Sequence, residues 1–183
     1  MGRPITDEVL AAAQIGDATA FRTIYDELAP VVMGYLIAKG VADPEAVASD
    51  VFLAVLPRLH DLTGGVPGLR TFVMSVAHAR MVDETRRRRR QPPSYEYDPA
   101  GDPRVTVSAE HEAIESIATA GIVELLRELP ADQREVLALR VIADLSIDDV
   151  ADIIRRSPGA VKQLQRRGLI GLRRVVAERG VTL

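Results

Sequence analysis

The chain has 183 residues, 47% hydrophobic and 4% aromatic, with a formal net charge of -3. That apolar content excludes disorder throughout, and scarce aromatics with no Trp favour helix packing over an all-β sandwich. The absence of cysteine excludes a disulfide framework, a thiolate zinc site and a cysteine nucleophile, the scattered His60, His78 and His111 offer no metal-ligand spacing, and no apolar run reaches the length of a membrane span or a signal peptide's pattern. The expected protein is soluble, cytoplasmic, without membrane insertion and without a cofactor.

Thr6 ahead of Asp7 and Glu8 predicts an N-cap with acid in the first turn, and this first helix should end near Gly16. Asp17 caps a second helix in which Phe21, Ile24, Tyr25 and Leu28 keep the i, i+3, i+4, i+7 spacing. Pro30 is expected to kink or break it before Val32, Tyr35 and Leu36 carry it on to Lys39 and a terminating Gly40. Asp43 with Pro44 opens a third helix through Val47, Val51, Val55 and Leu59. The cluster Gly64, Gly65, Pro67, Gly68 predicts a loop. A further helix starting near Leu69 should bury Phe72, Val73, Val76 and Ala77 and run into the arginine block Arg86 to Arg90. Next comes QPPSYEYDPAGDPRVTVSAE, with four prolines, one glycine and no sustained periodicity, which predicts a linker.

Beyond the linker, Ser146 with Asp149 forms a capping box with the shorter acid, ahead of a helix that places Ile147, Val150, Ala151 and Ile154 on one face. Ser157 and Pro158 supply another N-cap and first-turn proline only two residues past Arg155. Two short helices joined by a tight turn, with Leu137, Val141 and Ile142 of a preceding helix to cover them, make a trihelical helix-turn-helix. The second of the pair has Val161, Leu164, Leu169 and Leu172 for its core side and leaves Lys162, Gln163, Gln165, Arg166, Arg167, Arg173 and Arg174 for the other faces. The fold class is therefore all-α: two small helical domains, 1–90 and 113–183, joined by a flexible acidic linker over 91–112.

Charge is distributed unevenly along this plan. Residues 91–130 hold 2 basic and 8 acidic side chains, while 131–183 hold 10 and 7. Arg86 to Arg90 and the stretch Pro158 to Arg174 are basic with no acid inside them. Nucleic acid responds to local charge, so the overall -3 does not exclude DNA. A solvated helix end would account for one or two cations at the close of the fourth helix; five in succession cover every face and favour phosphate contact. His78, among Val76, Ala77 and Arg80, reads as a satisfied partner and not a catalytic group, and Asp83 or Glu84 could orient the nearby arginines. The chain has no phosphate-cradling glycine loop and no nucleophile elbow, so an enzyme has little support.

Both halves resemble the extracytoplasmic-function sigma factors, the smallest members of the primary-type sigma family. DATAFRTIYDELAPVVMGYL is similar to the family's opening helix pair, DPEAVASDVFLAVLPRL to its polymerase-docking helix, and LRTFVMSVAHARMVDETRRRRR to its promoter-reading helix. The C-terminal ELLRELPADQREVLALRVIADLSIDDVADIIRRSPGAVKQLQRRGLIGLRR is similar to the family's helix-turn-helix nearly motif by motif. Ala46 and Ser49 stand where the docking helix usually carries an acid and a glutamine, Phe72 where a tryptophan is often found, and Ala79 where an asparagine is common.

The resemblance implies a non-enzymatic transcription initiation factor that binds the core RNA polymerase at the large subunit's coiled coil and flap, together with promoter DNA, and that is held inactive by an anti-sigma protein. Glu45, Asp50, Val51, Phe52 and Leu53 would contact the core. His60, Asp61, Arg70, Arg80, Arg86, Arg87 and Arg88 would bind and melt the minus-ten element. Ser157, Gly159, Lys162, Gln163, Arg166 and Arg167 would engage the minus-thirty-five element. A free-standing regulator binding an operator as a dimer would explain the C-terminal module equally well, but the first ninety residues offer it no ligand pocket and no obvious dimer helix.

Overall fold

The computed structural model describes residues 4–90 and 121–179, and every regular element among them is helical. The linker at 91–112 lies outside the described residues. The first half comprises α1 (Asp7–Gln14), α2 (Ala18–Ala38), α3 (Pro44–Val55), a 3-10 segment (Leu56–Asp61) and α4 (Gly65–Arg90). The second comprises α5 (121–127), α6 (Ala131–Leu137) with a π-helical extension (Ala138–Ile142), α7 (Ile147–Ile154) and α8 (Pro158–Glu178).

The helix starts follow from local side-chain chemistry. Thr6, Asp17, Asp43, Ser146 and Ser157 each accept a hydrogen bond from the backbone N–H three residues ahead, covering an amide that has no partner inside its helix. Ser146 and Asp149 complete both arms of the capping box. Behind these caps, Ile24, Leu28, Val32, Tyr35 and Leu36 of α2 meet Val51 and Val55 of α3 and Leu69, Val73 and Ala77 of α4, all buried. Each large aliphatic side chain so removed from water contributes about 1.5–3 kcal/mol. Gln14 pins α1 to the 3-10 segment, donating from Nε2 to the carbonyls of Leu59 (3.1 Å) and Leu62 (2.8 Å).

The structure departs from the expected elements in several places. Pro30 does not break α2, which continues from Ala18 to Ala38. The ring sits on an exposed face while Leu28 and Val32 on either side are buried, so the core holds together a helix that has lost one backbone bond. Leu59 belongs to the 3-10 segment and not to α3. The expected loop at Gly64 to Gly68 is largely helix: α4 begins at Gly65, with Pro67 in its first turn, where a missing N–H breaks no bond. A Cβ at Gly68 would lie 2.5 Å from the Thr63 carbonyl oxygen, so only glycine allows this close approach. On α4, Phe72 and Val76 are half-buried, and Met74 and Met81 join Val73 and Ala77 in the core.

In the second half, Val141 turns outward, because the π-helical extension shifts the register after Leu137. α8 is not short; it spans 21 residues. Its buried row is Val161, Leu164, Gly168 and Val175, which leaves Leu169 exposed instead of in the core. Gly168 and Gly171 let α8 approach closely: a Cβ at either would lie 2.8 Å from a methyl of Leu137 or Leu129, respectively.

The two halves touch. The π-helical extension of α6 packs against α2, and α7 packs against α4. Arg127 donates to the Ile37 carbonyl (Nη2, 3.2 Å) and Arg134 to the Ala38 carbonyl (Nη1, 3.5 Å), so arginines of the second half satisfy carbonyls at the C-terminus of α2.

Candidate nucleic-acid interface

The tight turn before α8 is made by Arg155, the residue just past α7, in the left-handed conformation (φ 53°, ψ 50°). Two residues on, Ser157 Oγ accepts from the Ala160 amide at 3.2 Å and fixes where α8 starts. Ser157 is thereby committed to the helix it caps, and Gly159 sits in the first turn with open space around its Cα. Because the row Val161, Leu164, Gly168 faces inward, Lys162, Gln163, Arg166 and Arg167 are all exposed. At 3.6 residues per turn, Gln163 and Arg166 lie about 60° apart opposite the core, with Lys162 and Arg167 flanking them. Lys162, Arg166, Arg167, Arg173 and Arg174 lie on the helix's outer faces, and its one acid, Glu178, comes in the last turn.

The base of the module is braced by residues the sequence did not single out. Arg140 donates from Nε to the Gln165 side-chain oxygen (3.2 Å) and also to the Leu145 carbonyl, which ties the π-helical extension of α6 to α8. Arg156 pairs with Asp132 at 3.0 Å, and the two line a groove of about 560 Å³ with Gln163 and Arg167. The only sequence signal for these contacts is an arginine close to each turn, which does not name its partner.

The minus-ten candidates divide by position. His60 and Asp61 sit at the end of the 3-10 segment, exposed, with His60 Nε2 3.1 Å from Asp61 Oδ2. Arg70 is half-buried near the start of α4, and Arg80 is exposed in its middle. Arg86, Arg87 and Arg88 are exposed near its C-terminus. The orienting acid is Glu84, which pairs with Arg87 and Arg88, each at 2.6 Å. The two arginines are exposed, whereas the Glu84 side chain is only 13% exposed, so one half-buried carboxylate orients both guanidinium groups. The long basic helix end and the loop at its start lie about 20 residues apart on one rigid rod, roughly 30 Å.

On α3, Glu45 and Asp50 are exposed and Leu53 is 70% exposed. Val51 and Phe52 correct the expectation. Both are buried, Val51 completely, and Phe52 packs its ring 4.7 Å from that of Tyr25. They face α2 and α4 because Val47, Val51 and Val55 repeat every fourth residue and set the inner face. The outer face carries instead an apolar step of Leu53 and Leu56, three apart and both exposed. Apolar residues on a second face of α3 were the signal in the sequence for Leu56, which was not singled out.

His78 is tied into a polar cluster where the halves meet. The Tyr35 hydroxyl lies 3.0 Å from His78 Nδ1, Glu135 Oε1 lies 3.4 Å from the same nitrogen, and Lys39 Nζ donates to Glu135 Oε1 at 2.9 Å. Burial, followed by the neighbouring Glu135 charge, pushes the Tyr35 phenol well above its ordinary value. Burial lowers the His78 pKa; Glu135 opposes this, and Lys39 and Arg155 add to it.

Among the described residues no group of acidic or histidine side chains could hold a metal ion, and no helix is long and apolar enough to cross a membrane. A family profile described as Sigma-70, region 4, matches residues 120–170. The chain is 33% identical over 185 residues to the ECF RNA polymerase sigma factor SigD of Mycobacterium tuberculosis, covering 95% of this chain and 85% of SigD. It is 28% identical to the ECF RNA polymerase sigma factor BldN of Streptomyces coelicolor, covering 93% of this chain and 66% of BldN. Its fold is similar to that of CnrH, solved in complex with the cytosolic domain of CnrY, with a TM-score of 0.62 and 18% identity over 96% of this chain and 99% of CnrH. With the helix-turn-helix, the basic α4 and these relatives together, the chain belongs to the extracytoplasmic-function RNA polymerase sigma factors.

Proposed function

We propose that the two halves divide the work of a sigma factor, which binds core RNA polymerase and directs promoter-specific initiation. The family membership sets aside the free-standing, operator-binding regulator. In this reading 1–90 docks on the polymerase and melts the minus-ten element, 91–112 links the halves, and 113–183 reads the minus-thirty-five element. The protein works where polymerase works, in the cytoplasm, by binding and not by bond chemistry. An anti-sigma protein is the expected antagonist.

The observation that carries the reading is the outward face of α8. Its N-terminus offers the positive end of the helix dipole, and its first turns expose Lys162, Gln163, Arg166 and Arg167. Gln163 and Arg166, opposite the core, take base edges; Lys162 and Arg167 at the flanks hold phosphates. Arg80 and Arg86 to Arg88 supply phosphate contacts along the melted strand, with His60, Asp61 and Arg70 at the loop end of α4. Asp50 and Leu53, three apart on the exposed face of α3, present one charge and one apolar contact to the polymerase, with Glu45 beside them.

The test is binding by Arg166→Ala and Lys162→Ala to a panel of single-base variants of the minus-thirty-five element. Losing a good bidentate base contact costs about 1–3 kcal/mol at one base pair, whereas losing a phosphate contact weakens all sequences alike. Uniform loss in both variants refutes this division of labour. No loss in either means that α8 does not read DNA.

A further inference from the structure

The segment that carries His60 and Asp61 is held from outside itself. Gln14 of α1 lies 45 and 48 residues in sequence from Leu59 and Leu62, and its Nε2 donates to both of their carbonyls, at 3.1 and 2.8 Å. A side-chain amide has two N–H groups, so both are spent on these two acceptors. The Leu59 carbonyl also accepts from the Leu62 amide at 3.1 Å, so the turn is closed on itself and then tied to α1. His60 and Asp61, both exposed, lie between the two gripped residues.

The same helix grips the far end of the segment. Asp7, the first residue of α1, accepts from the Val66 amide with Oδ1 at 3.2 Å, across 59 residues. Val66 is the second residue of α4, where a backbone amide has no acceptor within its own helix, and Gly64 ahead of the helix has no side chain to serve as a cap. α4 therefore takes this cap from α1. Gly65 makes the approach possible, since a Cβ there would lie 3.0 Å from Asp7 Oδ1. Asp7 and Gln14 stand two turns apart, about 10 Å along one face of α1, and Leu10 between them is buried. With Gly68 closed against the Thr63 carbonyl, the path of the chain is fixed at Leu59, Leu62, Val66 and Gly68.

We infer that Asp7 and Gln14 are positioning residues for promoter reading: from α1 they hold segment 59–66 so that His60 and Asp61 meet one base of the minus-ten element in a set geometry. The inference rests on the assignment of His60 and Asp61 to that element. A base taken out of the stack is recognised at its edge, and hydrogen bonds weaken steeply with angle and distance. A shift of the backbone that carries the reading residues therefore flattens base choice before it removes binding. Asp7 and Gln14 act through that backbone and not by touching DNA.

Holoenzyme reconstituted from core RNA polymerase and the full chain is bound to fork-junction promoter DNA in which each minus-ten position carries each of the four bases in turn. His60→Ala and Asp61→Ala identify the position that the segment reads. Gln14→Ala, Gln14→Glu and Asp7→Ala should flatten the preference at that same position by about fivefold or more, the lower end of the cost of one mismatched base pair. Affinity for core polymerase should not change, and circular dichroism reports folding. Asp7→Asn keeps an acceptor oxygen and should restore the wild-type preference. Gln14→Ala added to His60→Ala with Asp61→Ala should cost nothing further, because the residues it positions are gone. Preference unchanged in folded Gln14→Ala and Asp7→Ala, or an additive loss in the combined variant, overturns the positioning role. An equal loss at every position overturns it too, since that is what general destabilisation produces. If the Gln14 variants do not fold, Asp7→Ala, altered only at an exposed side chain, decides alone. If His60→Ala and Asp61→Ala leave every position unchanged, the segment does not read the minus-ten element, and the inference falls together with that assignment.

Discussion

Gly159→Ala and Gly168→Ala add the same methyl group to the same helix, yet only the first should stabilise the protein. At Gly159 the nearest atom to a new Cβ is the Ser157 hydroxyl at 4.0 Å, so only the helix propensity changes, a gain of about 0.8–1 kcal/mol. At Gly168 the new Cβ would stand 2.8 Å from Leu137 Cδ1 and 3.1 Å from its Cγ, and Leu137 is buried at 1% exposure with no room to turn away. Overpacking of this kind costs about 1–3 kcal/mol, which offsets or exceeds the propensity gain. Propensity cancels between the two sites, so their difference isolates the contact: about 1–3 kcal/mol, or roughly 2–12 °C in Tm. Guanidinium denaturation followed by circular dichroism measures it. Equal stabilisation by both substitutions would refute the close packing of α8 on α6, and with it the placement of the recognition face.

Asp50→Arg should abolish copurification with core polymerase at unchanged helicity, while Val51→Ala, which removes two buried methyl groups, should instead lower stability by about 1–3 kcal/mol, as expected of a core side chain; undiminished core binding by folded Asp50→Arg refutes the docking face. Replacing Arg86, Arg87 and Arg88 by alanine should weaken open-complex formation more than closed-complex binding and flatten the salt dependence, with permanganate reactivity as the readout. If reactivity does not change, the block is a solvated helix end. Acid should loosen the contact between the two halves. With the halves in contact the His78 pKa is below its ordinary value, so the contact binds fewer protons, and its stability is fully present above about pH 6.5 and falls as pH drops below that. Glu135, Lys39, Arg155 and Tyr35 face the ring, and Asp83, Arg86 and Asp152 line the same cleft, so the assay compares pH 8 with pH 5 in wild type and in His78→Gln, reading energy transfer between dyes on cysteines introduced at the exposed Ile15 and Asp148. A pH dependence that survives in His78→Gln assigns the titration to another group.

What could be read from the sequence was what depends on neighbours a few residues away. The five helix caps were legible because each side chain bonds an amide three residues on, and the turn before α8 because a left-handed residue and a new cap must fit between two apolar periodicities. The exposed cations of α8 were legible as the complement of its core side. Errors arose where tertiary contact overrides local preference. Pro30 stays helical because the core on either side of it is already fixed. Gly65 to Gly68 reads as a loop until the approach of Gly68 to the Thr63 carbonyl is known. Leu169 was assigned to the core because nothing in the sequence says that Gly168 lies against Leu137. Val51 and Phe52 were given to the polymerase by resemblance, and the fourfold repeat of valines on α3 gives them to the core. The contact between Lys39 and Glu135 leaves no local trace at a separation of 96 residues.

That separation also sets a clock during synthesis. At about 5–20 residues per second, roughly 5–20 s pass between the addition of Lys39 and the addition of Glu135, and α7 follows later still. The core formed by α2, α3 and α4 uses only residues made by then, whereas the carbonyls of Ile37 and Ala38 wait for Arg127 and Arg134. Each newly made molecule therefore passes through a stage on the ribosome in which the C-terminus of α2 stands without these partners, before its own second half arrives to supply them.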